Sequence, residues 1–537
     1  MENYNENIKS LILKIKDKIG KPVSNRVVMA TIESLGIRDK DTQYDFGVPS
    51  ISYLADVIFK ELTFSPAHRG AKNKKEREHT KDAPKSLQIS DYLWIKAKIF
   101  AHYYPLGIFH LMPVFLQIAS IILFGYSLWT FVGFNHVQST AVVLGVIIGL
   151  VATGGFVQVI GRQASFYWNY EDYVMTKQTV NYLLKTGTIS LLSILGTIMV
   201  ANFFFHVYPF KVLLIVFTYA FLIGTLLLLL APLHTIKQRW VISLAVFAGT
   251  LTAVLLKTQT DMMIYFTHWI GILIAVCIAR VYLTVFFNKM LKKEKSNFHI
   301  EMKSTVILYH NYKYFFYGLF LYLFIFTDRI LAWSSTINGP LPFVVYFEKN
   351  YELGMDLGIL VFLLLSGVLE YGVASFSQFL DMGQKSTSHK SPEVFNKQLS
   401  KMYWQHVILL LVTTVGIFIL IYSLINAPWG YRGHFNEVLD VISINVSLIG
   451  GLGYMFLAWG MLNTLYLFTL GQPGHPLRAI IFAALLNLVV GLICSRFISY
   501  EYSVIGMLCG SVLFMLLTLK ANIDFFKKLD YYYYAAY

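Results

Sequence analysis

Apolar runs long enough to cross a membrane recur from residue 107 onward, and they constrain the fold more than any other feature of this sequence. Runs of about 20 residues span the hydrocarbon layer of a bilayer as helices, which satisfy their own backbone hydrogen bonds there. Hydrophobic residues make up 56% of the 537 and charged residues only 14%, whereas soluble domains carry about a quarter charged residues. The sequence therefore predicts an all-α, polytopic membrane protein.

The apolar runs number twelve. We predict transmembrane helices at approximately 107–133, 139–160, 180–207, 211–231, 239–256, 262–287, 313–335, 352–380, 403–426, 443–470, 476–497 and 500–520.

Basic residues concentrate in every second connection between these runs. The segment 288–312 carries five lysines, whereas the connections on the opposite side carry Lys257, Lys349 and Arg432 as their clear basic residues. Because cytoplasmic loops are enriched in Lys and Arg, both termini and 288–312 are predicted to be cytoplasmic. This placement accounts for most of the net charge of +14. It argues against nucleic acid as a partner and indicates attraction to anionic membrane lipids.

The first 106 residues differ from the rest. Short helices are predicted at 8–19, 27–37 and 48–63, followed by a charged linker at 69–86 and an amphipathic helix at 91–104 that leads into the first span. The N-terminus has no long apolar core and no cleavage site of a signal peptide, so we expect the first span to act as the insertion signal.

The spans divide six and six at the basic segment, and the two groups resemble each other. Residues 219–256 align with 454–493, since both begin Tyr-x-Phe-Leu and contain a short polar loop with an Arg between apolar runs. A weaker match aligns 154–169 with 371–386. Repeats that cross in the same direction place a cavity between two halves. The alternative is that any two leucine-rich helix pairs look alike.

The predicted domains follow from these boundaries. They are a cytoplasmic helical extension (1–106), a first six-helix bundle (107–287), a basic inter-bundle loop (288–312), a second six-helix bundle (313–520) and a cytoplasmic tail (521–537).

This organisation resembles the MATE-like polysaccharide flippases of the MOP superfamily. The stretches YFFYGLFLYLFIFTDRILAWSS (314–335) and YELGMDLGILVFLLLSGVLEYGVASFSQFLD (351–381), with the ending FFKKLDYYYYAAY, are similar to PelG-type exopolysaccharide exporters. The family's Gly-Ile-Gly-Phe-Glu-Leu start is not found, and the 106-residue extension stands in its place. The resemblance implies two pseudo-symmetric bundles, a bacterial cytoplasmic membrane location, a glycan polymer or lipid-linked glycan as substrate, and a cytoplasmic glycosyltransferase and membrane synthase subunits as partners.

Asp328 and Arg329 lie side by side inside a predicted span. A charge near the bilayer centre costs roughly 2.5–3.5 kcal/mol on insertion scales, so such residues usually face protein or water. Adjacent helical residues point about 100° apart, so the two do not form one simple ion pair. Two interpretations stay open at this point. The residues form part of a substrate or ion path, or Asp328 ties helices together while Arg329 extends outward to the membrane surface.

Glu370 is the other acid deep in a span, and it is a candidate for proton or Na⁺ coupling or for a structural carboxyl. Gln158 and Asn463 are candidates for lining the cavity. His268 is a candidate relay or, alternatively, a partner in a helix–helix hydrogen bond.

Signals for enzymes are weak. The Asp39-x-Asp41 pair lacks the strand–helix pattern of a glycosyltransferase domain, and the sequence contains no GxxxxGK[ST] and no HExxH. Cys277, Cys494 and Cys509 form no metal or disulfide pattern. We expect no enzymatic activity, no catalytic residue, no metal and no cofactor beyond a coupling proton or Na⁺.

Three functions are compatible with these features. The first is a secondary transporter that exports an exopolysaccharide or a lipid-linked glycan precursor by alternating access. The alternatives are a MATE-like exporter of small drugs and a non-transporting scaffold of a polysaccharide synthase.

Overall fold

The computed structural model is built from helices throughout the part of the chain that it describes. It describes residues 2–19, 22, 24–64, 89–109, 111–292, 304–337, 339–386, 392–428, 433 and 439–528. The predicted linker at 69–86, most of the inter-bundle loop and the end of the tail lie outside the described residues.

Four helices precede the first span: α1 (Glu2–Ile19), α2 (Asn25–Ser34), α3 (Asp41–Asp45) and α4 (Ile51–Phe64). Helices α1, α2 and α4 pack on one another around fully buried side chains such as Ile15, Ile32 and Leu54. The three helices predicted here are present, and the short α3 is an addition. The extension is therefore a small helical unit with its own apolar core.

The predicted first span at 107–133 is wrong in its extent. The chain instead forms two helices, α5 (Ile89–Phe109) and α6 (Met112–Phe124), bent by 47° at the break. Gly125 ends α6 with a left-handed backbone (φ 63°), a conformation that glycine adopts without steric cost. Asn135 and Gln138 then form a capping box that starts the next helix. A turn with a buried centre at 126–128 therefore lies where the apolar composition predicted continuous helix.

Eleven further helices follow along the chain. They are α7 (His136–Asn169), α8 (Tyr173–Phe205), α9 (Phe210–Thr235), α10 (Arg239–Gln259), α11 (Ile264–Leu291), α12 (Ser304–Trp333), α13 (Lys349–Ser386), α14 (Pro392–Asn426), α15 (Val441–Thr469), α16 (Gly474–Phe497) and α17 (Ser503–Phe526). All eleven are long and apolar enough to cross a membrane, and the bent pair α5–α6 makes twelve spans among the described residues if it counts as one.

The two halves repeat the same packing, with a shift of six helices. Helix α7 packs on α8 and α9 as α13 packs on α14 and α15, and α10 packs on α11 as α16 packs on α17. Likewise, α6 contacts α10 as α12 contacts α16. The pseudo-symmetry that the sequence predicts is therefore confirmed.

The halves meet through the helix pairs α5–α13 and α7–α12. Both contacts contain facing glycines. A Cβ on Gly318 would lie 2.6 Å from the carbonyl oxygen of Gly154, and one on Gly107 would lie 2.6 Å from the Cα of Gly367. Backbones approach this closely only where side chains are missing, as at small-residue interfaces in membranes.

We expect Gly318→Ala to destabilise the protein by about 1–3 kcal/mol, because the new methyl group meets a backbone carbonyl that no rotamer can move. Thermal unfolding of the purified protein in detergent measures this. Gly416→Ala is the matched control, since a Cβ there meets no atom within 4 Å. That substitution should be neutral or stabilising by up to about 1 kcal/mol in a helix. Equal melting temperatures of the two variants would contradict the close contact.

A candidate coupling site in the second half and contacts between the halves

Asp328 and Arg329 are both buried within the second half, with exposed fractions of 0% and 2%. They lie on α12, about three turns after Gly318, in the part of the helix that faces the start of α13 and the middle of α15. Because adjacent helical side chains diverge, each binds its own partners. Neither side chain faces the lipid.

The Arg329 guanidinium is the centre of the cluster. Its Nε donates to both carboxylate oxygens of Glu352, at 3.0 and 3.1 Å, and its Nη1 donates to the Tyr454 hydroxyl at 3.3 Å and to the Ile325 carbonyl at 3.3 Å. The interpretation in which Arg329 extends outward to the membrane surface is therefore wrong. Glu352 supplies the counter-charge inside the protein, so the guanidinium has no need to reach water.

Asp328 accepts a 2.7 Å hydrogen bond at Oδ2 from the Tyr351 hydroxyl. Its other oxygen, Oδ1, is buried and makes no hydrogen bond with the described residues. A buried carboxylate oxygen without a donor is costly, and protonation of the group lowers that cost because it removes the charge. The position is therefore suited to taking up and releasing a proton.

Two acids of the cluster are absent from the sequence-based candidates. Glu352 and Asp356 lie on α13 at i and i+4, on one face of the helix. Asp356 lies 3.9 Å from Arg329 and its side chain is 64% exposed, whereas that of Glu352 is 13% exposed. Two carboxyl groups thus pair with the guanidinium, and the exposed Asp356 connects the cluster to its surroundings. The i, i+4 spacing in YELGMD is the signal that could have indicated the pair.

Glu370 lies further along α13 and contacts the other half of the molecule. Its Oε1 is 3.4 Å from Nη2 of Arg239, the first residue of α10, and the two side chains are 30% and 23% exposed. The structure therefore does not place Glu370 in the cluster with Asp328. It places Glu370 at an ion pair between the halves.

At the opposite end of the bundle, the connection between α12 and α13 crosses to the first half. We call residues 343–347 the strap. The Tyr208 hydroxyl donates to the Val345 carbonyl at 2.9 Å, and the backbone N–H of Phe347 donates to Thr140 Oγ1 at 2.9 Å. His136 Nδ1 donates to the Phe347 carbonyl at 3.2 Å. Burial raises the pKa of the Tyr208 phenol, so it stays protonated and able to donate.

The remaining candidates are dispersed. Gln158 is half-buried at the α7–α12 contact, next to Gly318. Asn463 is fully buried in the second half, accepting from Tyr403 at 2.7 Å and donating to Thr518 at 3.1 Å. His268 is buried in the first half, with its Nδ1 2.7 Å from the Tyr219 hydroxyl.

Among the described residues, no group of three His, Cys, Asp or Glu side chains is arranged to hold a metal ion.

Comparisons with known proteins identify the fold. No family model matches the sequence, and no curated protein matches it. Among solved structures, an outward-facing multidrug resistance MATE family transporter of the MOP superfamily matches with a TM-score of 0.54 at 14% identity, covering 81% of this chain and 97% of the other. A MOP superfamily transporter from Pyrococcus furiosus matches with a TM-score of 0.54 at 13% identity, covering 80% and 97%. A MATE in complex with MaD5 matches with a TM-score of 0.53 at 14% identity, covering 81% and 97%.

These matches show that the chain has the fold of MATE transporters of the MOP superfamily, as the sequence predicts. About one-fifth of this chain lies outside the matched region. Residues 1–106 make up about the same fraction of the chain.

Replacing Glu352 by Gln should destabilise the protein by about 3 kcal/mol, because the Arg329 charge is then buried without its partner. Asp356→Asn is the matched control. It also removes one charge from the cluster, but at an exposed side chain, where an ion pair contributes about 0–1 kcal/mol. Thermal unfolding in detergent compares the two, and a Glu352→Gln variant as stable as Asp356→Asn would show that the pair does not hold α12 to α13.

Proposed function

We propose that this multi-pass membrane protein is a secondary transporter that exports an exopolysaccharide or a lipid-linked glycan precursor by alternating access. The observation that carries the proposal is the way the two repeated halves meet. Apart from the glycine contacts, an ion pair joins them at one face and the hydrogen bonds of the strap join them at the other. The polar contacts that close each face are few, so under this proposal the two faces open in turn.

The charged cluster supports coupling of transport to a proton or Na⁺ gradient. Asp328 has a free carboxylate oxygen inside the second half, and Asp356 connects the cluster to its surroundings. The sequence contains no phosphate-binding loop for ATP. Energy for export would therefore come from an ion gradient or from synthesis of the polymer itself.

The glycan as substrate is supported by the resemblance to PelG-type exporters. The stretches that carry it, 314–335 and 351–381, are those that build the cluster. They supply Asp328 and Arg329 from the first stretch, and Tyr351, Glu352 and Asp356 from the second. The similarity thus falls on residues that contact one another rather than on general apolar composition.

A MATE-like exporter of small molecules is the main alternative, because one of the matching structures is described as a multidrug resistance transporter. A scaffold without transport activity is the second. The proposed location is a bacterial cytoplasmic membrane with both termini in the cytoplasm, as the distribution of basic residues indicates.

Asp328→Asn should reduce glycan export to background, because the amide cannot exchange a proton in the cluster. The measurement is extracellular glycan from cells that depend on this protein for export, normalised to the amount of protein in the membrane. The same cells are tested for drug susceptibility. Asp261→Asn, the same substitution at an exposed loop position, should export normally.

Normal glycan export by Asp328→Asn would contradict coupling through this residue, and unchanged glycan with increased drug susceptibility would favour the small-molecule alternative.

Glu370→Gln tests the ion pair between the two halves. Since a partly exposed ion pair contributes up to about 1 kcal/mol, export should fall by about two- to fivefold. The double variant Arg239→Glu/Glu370→Arg should restore it, and failure of that rescue would assign Glu370 a role other than closing the face.

We further propose that the N-terminal helical unit binds the cytoplasmic glycosyltransferase and the membrane synthase subunits. It has its own core, contacts the end of α17 through Arg26 and the Lys527 carbonyl (3.4 Å), and exposes the aromatic side chains of Tyr44 (81%) and Tyr53 (55%). Such exposed aromatic residues are typical of protein interfaces.

Deletion of residues 1–86 should abolish co-purification of these partners while the protein still inserts into the membrane. Tyr44→Ser is the finer variant, because it removes one exposed ring without removing the unit. Exposed Leu13→Ser, at a different place on the unit's surface, serves as its control. Retained association after the deletion would contradict the docking role.

A further inference from the structure

A cavity of about 450 Å³ lies between α16 and α17, at the end of the bundle where α16 begins and α17 ends. Its floor is made by the small buried residues Ala479 and Ala521. One wall is Phe482, which is 56% exposed and faces away from the protein interior. The cavity therefore opens toward lipid on its apolar side.

The rim of the cavity is basic. Arg478 and Lys520 are both exposed there, and among the described residues neither forms an ion pair. Arg478 Nε donates only a 3.3 Å bond to the Gly474 carbonyl, within its own helix. The acid on the rim, Asp524, lies 3.8 Å from Lys527 Nζ, which offsets its charge. Two cationic groups are thus available to an anion in the cavity.

We infer that this cavity binds the headgroup of an anionic phospholipid. Arg478 and Lys520 contact the phosphate, and an acyl chain follows Phe482 and Leu517 toward the bilayer. Cationic pockets between helices at the membrane surface are suited to such headgroups, and the volume lies within the range of small-molecule sites. A soluble anion would use the cations but gain nothing from the apolar wall. The inference is independent of which substrate the protein exports.

The test uses the full-length protein purified in detergent and titrated with phosphatidylglycerol or with phosphatidylcholine of the same acyl chains. Lipid-bound species are counted by native mass spectrometry. Phosphatidylglycerol should bind more tightly than phosphatidylcholine. Arg478→Gln/Lys520→Gln should weaken phosphatidylglycerol binding by about thirtyfold, because two basic groups near the headgroup are lost.

Lys289→Gln/Lys292→Gln is the matched control. It removes two charges at the end of α11, the counterpart of α17 in the first half, and it should bind phosphatidylglycerol like the original protein. A second variant, Ala521→Leu, keeps both cations and fills the floor of the cavity, and it should also weaken binding. This separates a defined cavity from general surface attraction.

Three results would overturn the inference. They are equal affinity for the two lipids, equal loss of binding in the matched control, and displacement of phosphatidylglycerol by millimolar inorganic phosphate, which would identify a soluble anion as the ligand.

Discussion

Burial of the Arg329 guanidinium is the interaction on which the second half of the molecule depends. A lone charge at this depth would cost roughly 2.5–3.5 kcal/mol on insertion scales, and Glu352 removes that cost by sharing both carboxylate oxygens with Arg329. The pair fixes the start of α13 against α12. It thereby sets where the intervening connection runs, with the Tyr346 N–H bonded to the Trp333 carbonyl at 2.8 Å. From there the strap reaches Tyr208 in the first half.

The duplication repeats the fold but not the chemistry. Tyr219 and Tyr454 occupy the same place in the two repeats and both are fully buried. Tyr219 contacts a histidine, His268, in the first half, whereas Tyr454 accepts a bond from Arg329 in the second. The described part of the first half contains no comparable ion cluster. Under the proposed mechanism, ion coupling therefore acts on one half, and the other half follows through the contacts between them.

The sequence predicted what depends on long patterns and missed what depends on single contacts. Hydropathy gave the spans, and the repeat gave the packing of α7–α11 and α13–α17. The break in the first span depends on one glycine in a left-handed conformation, Gly125, which no average over an apolar run reveals. Glu352 and Asp356 lie at the start of a span, where acids are common. Their role as partners of Arg329 is recognised only from the contacts in the structure.

The partners of Asp328 and Glu370 are also contacts that the sequence pattern does not reveal. Both were predicted as acids inside spans, and each has a partner inside the protein. Their partners, Tyr351 for one and Arg239 for the other, are 23 and 131 residues away in sequence. Sequence order alone therefore could not separate a carboxyl inside one half from a carboxyl between the halves.

The proposed alternating access requires that the polar contacts at the two faces of the interface be similar in strength. A partly exposed ion pair contributes about 0–1 kcal/mol, and each neutral hydrogen bond of the strap about 0.5–1.5 kcal/mol. The polar contacts at the two faces therefore differ by only a few kcal/mol, a difference that a bound substrate or proton can reverse. The two ends are not equivalent, however. The strap joins α12 directly to the start of α13, whereas Glu370 lies further along α13. Under the proposed mechanism, a proton taken up at Asp328 therefore acts first on the face that the strap closes, and the Arg239–Glu370 face responds through the movement of α13.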